Sequence, residues 1–111
     1  MTRKEIYEIV ESIGLPFAYY EFPEDTEQSP PFVVWFFSVN TDIMADNENY
    51  VDKEVLNIEL YTVYRDFEKE KTVEDVLKLN GFTYSKDANF IQSERIWQIA
   101  YESEVIINGE E

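Results

Sequence analysis

The chain has 111 residues, with 24 acidic against 9 basic side chains and a formal charge of −15. It contains no histidine and no cysteine, which excludes histidine-based triads, thiol nucleophiles, disulfide scaffolds and Cys/His zinc sites. The acidity argues against a general nucleic-acid binder, which needs a basic face to displace counterions from phosphate. With 44% hydrophobic and 16% aromatic residues, the composition is that of a folded chain and not a disordered one.

The length predicts a single domain over 1–111. Thr2 and Glu5 have capping-box spacing, and Ile6, Ile9, Val10 and Ile13 form one apolar stripe. A helix is expected over 3–13, stopped by Gly14 and Pro16. Residues 17–22 read as an aromatic strand, and the acidic, proline-closed stretch 23–31 as a loop. Phe32 to Val39 is apolar on both faces. It is therefore expected to be a central strand, or one covered by a helix or another subunit.

Residues 40–50 are a polar excursion between that strand and a long alternating one over 51–64, so the pair reads as a hairpin with an extended tip. Asp66 can cap a second helix over 67–80, with Gly81 as its stop. Residues 82–86 read as a short strand, 87–89 as a turn, and 95–107 as a long final strand. The order α-β-β-β-α-β-β predicts an α+β fold: a mainly antiparallel sheet with both helices packed on one face.

No catalytic, cofactor-binding or metal-binding residues are assigned. With so many carboxylates, some pair at any required spacing is always found, and solvated surface is the plain reading. The stretch Asp42 to Asp52 is rich in oxygen ligands but lacks the glycine and glutamate of a calcium loop. No glycine-rich phosphate loop exists. The N-terminus has no apolar signal core, and the run Phe32 to Phe37 is too short to cross a bilayer, so no membrane association is expected.

Charge is uneven. Residues 21–59 hold ten acids and one base, a net of −9, whereas 65–86 hold five of the nine bases. The two loops flanking the apolar strand are therefore expected to form an acidic end. Strand aromatics are first of all core, but Trp35, Phe37 and Tyr61 are also candidates for a subunit contact.

Several stretches carry a family resemblance. They are the helix leading into Leu15-Pro16-Phe17-Ala18-Tyr19, the strand Pro31-Phe32-Val33-Val34-Trp35, and Asn57-Ile58-Glu59-Leu60-Tyr61-Thr62. The charged helix ending Val76-Leu77-Lys78-Leu79-Asn80-Gly81-Phe82 and the terminal Glu94-Arg95-Ile96-Trp97-Gln98-Ile99-Ala100-Tyr101 complete the set. Over nearly its whole length the chain resembles the tail-completion, or tail-terminator, proteins of long-tailed non-contractile bacteriophages and prophages, also called tail-to-head joining proteins.

The resemblance implies a non-enzymatic virion subunit that caps the tail tube as a ring, usually hexameric, and joins it to the head-side connector. It implies no cofactor, assembly in the bacterial host cytoplasm, and residence in the tail neck. DNA would pass through the ring without specific binding. Asp42, Asp46, Glu48 and Asp52 are then the candidate lumen-facing acids, since carboxylates repel phosphates. A head-side connector of the same neck region fits equally. Two readings of other classes are open: an acidic DNA mimic that inhibits a basic partner, and a small hydrolase with a buried carboxylate pair of raised pKa.

Overall fold

The computed structural model describes residues 1–24, 28–39 and 52–108, and of Asp52 the backbone. The chain runs α1 (Arg3–Glu11), β1 (Phe17–Tyr19), β2 (Phe32–Ser38), β3 (Asp52–Thr62), α2 (Phe67–Leu79), β4 (Ser85–Ile91) and β5 (Ile96–Ile107). This is the expected α-β-β-β-α-β-β order. One five-stranded sheet has the spatial order β1-β2-β3-β5-β4. Every neighbouring pair is antiparallel except β1 with β2, which is parallel.

Local chemistry starts and stops the helices. The Thr2 side chain accepts from the Glu5 amide, and Glu5 accepts in return from the Thr2 amide at 2.7 Å. The Asp66 carboxylate accepts from the Lys69 amide at 3.2 Å. Gly14 and Gly81 follow the helices with φ of +88° and +80°, a region that disfavours any side chain with a Cβ. The first helix ends two residues before the expected Ile13, because Ser12 already caps it.

Alternation then decides the layers. Val33 and Trp35 of β2, Leu56, Ile58 and Leu60 of β3, and Ile99, Tyr101, Val105 and Ile107 of β5 point to one face. There they pack with Ile6, Val10 and Ile13 of the first helical segment and with Val73 and Leu77 of α2. Both helices thus cover the same face.

The opposite face is uncovered by helices, and the register sets out its rows. Phe32, Tyr61, Gln98 and Asn89 form one row; Val34, Glu59, Ala100 and Asp87 the next; Phe36, Asn57, Glu102 and Ser85 the third. The outer apolar side of β2, expected to need a cover, finds part of it in its own chain. Phe22 meets Phe32 at 5.3 Å between ring centres, Tyr20 meets Phe36 at 5.9 Å, and Phe32 stacks on Tyr61 at 5.0 Å.

Two expectations are corrected. The strand over 82–86 and the turn at 87–89 are displaced: 85–91 is one strand, and the reversal falls at 92–95, where Arg95 has φ +54°. Asp87 and Asn89 have turn propensity, but their backbones lie in register with Ala100 and Gln98, and pairing with the long β5 overrides that propensity. The strand over 17–22 is shortened to three residues, because Tyr20 adopts φ +71° and turns the chain onto the open face. The expected acidic end rests on 25–27 and 40–51, which lie outside the described residues; Glu21 and Glu24 lie between β1 and β2.

Candidate functional site

The anticipated site residues do not converge. Asp42, Asp46 and Glu48 lie outside the described residues, and of Asp52 only the backbone, at the start of β3, is described. Trp35, a candidate contact, is 5% exposed. Its ring meets Tyr19 at 4.9 Å, Phe37 at 5.7 Å and Tyr7 at 6.3 Å. Phe37 is partly buried against the core. Tyr61 is on the other face, half-buried, where its hydroxyl donates to Glu59 at 2.8 Å and accepts from Gln98 Nε2 at 2.9 Å.

Trp35 and Phe37 instead floor a groove of about 650 Å³ at the β1 side of the sheet. Tyr7 and Tyr19 wall it, and Arg3, Lys4 and Glu54 form its rim. Arg3 forms a two-pronged ion pair with Glu54 and lies over the Phe37 ring at 4.8 Å. The groove joins aromatic surface to fixed charge at the first turn of α1, a combination suited to gripping a protein segment.

A second cluster lies under α2. Glu70 is 1% exposed, yet charged and fully partnered. Arg65 donates to it from Nε at 2.9 Å and from Nη2 at 3.0 Å, and Lys86 Nζ lies 2.9 Å from Oε1. Lys86 also meets Glu74 at 2.7 Å, and the Tyr101 hydroxyl donates to Glu74 at 2.8 Å. Burial pushes the Glu70 carboxyl up, but the hydrogen bonds from Arg65 and Lys86 outweigh it and hold its pKa below the ordinary value. A general acid poised near neutrality needs the reverse shift. The cluster therefore acts as a clamp between α2, β4 and β5. It was not anticipated, although Glu70, Val73 and Leu77 share helical spacing, and a charge within an apolar stripe is the signal that marks it.

The open sheet face is the third feature. Its strands carry Glu59, Asp87, Glu102 and Glu104, against Lys53 as the one base among the described residues of that face. Arg65 and Lys86 are turned to the helix side, where Glu70 holds them. The helix-free face is thus acidic by register: alternation puts Glu59, Asp87, Glu102 and Glu104 on it and Lys86 on the helix side.

Among the described residues there is no group of three or more His, Cys, Asp or Glu side chains that could hold a metal ion. No helix is long and apolar enough to cross a membrane. Comparison with known protein-family models, with curated proteins and with solved structures finds no match.

Proposed function

We propose that this chain is a structural subunit of a bacteriophage or prophage tail neck. In this reading it is a tail-completion protein that closes as a ring on the tail tube, meets the head-side connector and lets DNA pass. It would assemble in the host cytoplasm and remain in the virion neck. The observation that carries the reading is the acidic, helix-free face of the sheet. Glu102 and Glu104 stand on its rows toward the end where 40–51 departs, and that segment adds Asp42, Asp46 and Glu48 to the sequence. A surface of this sign gives phosphates no cation with which to replace their counterions, so a duplex slides past it without adhering.

Ring closure needs one heterologous contact repeated around an axis. The aromatic groove at Trp35 and Phe37 supplies one half of such a contact, and Tyr61 lies on a different face, as a head-to-tail contact requires. The test is electron microscopy of the protein with and without its tail tubes, paired with Asp42→Lys, Asp46→Lys and Glu48→Lys combined; Asp52 is left out because its register partner Ile107 lies on the helix-covered face. Rings on the tubes, with normal assembly but impaired DNA delivery in the variant, are expected. Unchanged infection by the variant removes these acids from the channel. A compact one-to-one complex with a basic DNA-binding protein, and no ring, would replace this reading with the DNA mimic.

A further inference from the structure

β4 is the last strand of the sheet, bonded to β5 on one side and to nothing on the other among the described residues. Ser85 to Phe90 are all exposed, Phe90 by 42%, and Ile91 is half-buried. An edge of this length is normally guarded by proline, a bulge, or an inward-pointing charge. Here the register with β5 is unbroken from Ser85 opposite Glu102 to Ile91 opposite Ile96. The strand contains no proline. Its one inward charge, Lys86, is already neutralised by Glu70 and Glu74. The guard is therefore spent inside the molecule, and the edge is left as a row of backbone donors and acceptors that only an extended chain can match.

We propose that this edge pairs with the same edge of a second copy, antiparallel and centred on Ala88. The sequence of the strand selects both partner and register. A twofold axis normal to the sheet keeps the helix layers of both copies on one side. It therefore places residues of equal parity opposite each other. Centring on Ala88 engages all seven residues and sets Asp87 against Asn89, Lys86 against Phe90 and Ser85 against Ile91.

No like charges face one another in this register. Because the Lys86 ammonium is held by its own carboxylates, its aliphatic stem meets the partner's Phe90. Asn89 already donates to Asp87 within one chain at 3.1 Å, so this pair has the chemistry to bond across the axis. Centring on Asp87 opposes two carboxylates, and centring on Asn89 strands Ser85 and Lys86. The product is one continuous sheet with all four helices on one face.

This contact is isologous, so it stands apart from the ring reading, whose contacts are heterologous. Each copy carries −15, so association strengthens with salt as the mutual repulsion is screened.

The absence of native cysteine makes the register directly readable. In Ala88→Cys the two introduced thiols lie opposite each other, with Cβ atoms about 5 Å apart, near disulfide reach. Rapid crosslinking to a dimer is expected. Glu68→Cys, on the exposed side of α2, serves as the control: it keeps the pairing edge but is expected to form no crosslink. In sedimentation velocity at high salt, Asn89→Asp is expected to weaken dimerisation several-fold by opposing carboxylates. Asp87→Lys combined with Asn89→Asp is expected to restore it. These side chains are exposed, and circular dichroism checks that the fold is kept. A monomer at all concentrations in high salt overturns the proposal, as does crosslinking of Glu68→Cys as fast as Ala88→Cys.

Discussion

Arg65 holds Glu70 with two parallel hydrogen bonds, from Nε at 2.9 Å and from Nη2 at 3.0 Å, at the N-terminal end of α2. The fork geometry matches a carboxylate in a way a point charge does not. Removing the acid leaves two cations, Arg65 and Lys86, without their shared counter-ion under the helix. Glu70→Ala is expected to destabilise the fold by about 3 kcal/mol, and Arg65→Lys by about 1 kcal/mol. Urea denaturation measures both. A loss under about 1 kcal/mol for Glu70→Ala would show that the clamp contributes little.

The same carboxylate sets an acid limit. Burial raises the Glu70 pKa, but Arg65 and Lys86 win and hold it below 4.5. The Lys69 amide does the same for Asp66, below 3.8, and the Thr2 amide for Glu5. A carboxyl held low binds protons less tightly folded than unfolded. Its contribution is complete above the unfolded value and is lost as pH falls through the folded one. Stability is therefore expected to decline below about pH 4.5, and to decline less steeply in Glu70→Gln. Urea midpoints measured across that window give the slope.

At the alkaline end, burial pushes Tyr61 up to about 12, with Gln98 opposing and Glu59 adding to the shift. Tyr101 is raised as well, by burial first and then by Glu74. A folded phenol that keeps its proton past the unfolded value of 10.0 stabilises the fold below that value. That stability is lost as pH rises through the folded pKa. Tyr61 and Tyr101 are expected to ionise late when phenolate absorbance is followed, and Tyr61→Phe should remove one late step. An absorbance titration with no late phase, or one left unchanged by Tyr61→Phe, would contradict the Tyr61 shift.

The glycine stops permit a clean backbone test. A Cβ built at Gly81 meets nothing within 4 Å, so only its φ of +80° opposes a side chain. Gly81→Ala is expected to cost about 1 kcal/mol and Gly81→Asn less, since asparagine tolerates this region better. Thermal melts of the two variants should rank in that order.

Much of this architecture was legible in the residues. Capping signals fixed the helix starts, and period-two alternation marked the two long strands, observed as Asp52–Thr62 and Ile96–Ile107. What escaped was decided by partners distant in sequence. Asp87 and Asn89 read as a turn until β5 pairs with them, and no local signal says that Tyr20 will take a left-handed φ. The clamp escaped because Arg65, Glu70, Lys86 and Tyr101 come from four separate segments. The acids of the open face needed the register of two strand pairs, β3 with β5 and β4 with β5, before they could be placed on one side. The groove at Trp35 needed the first turn of α1 laid beside β1, which spacing alone does not give.

The two ends of the described chain are stitched together. The Met1 carbonyl accepts from the Asn108 amide at 2.9 Å, and the Met1 ammonium meets the Asn108 side chain. The order of the segments is therefore separable from their arrangement. A circular permutant that joins 108 to 1 through a short linker and opens the exposed reversal at 92–95 should keep every strand neighbour. It would turn the β4–β5 hairpin, now closed by a four-residue turn, into a pairing between the two ends of the new chain. Closing it would then require a far longer loop, so the permutant is expected to fold more slowly than the parent while reaching the same sheet.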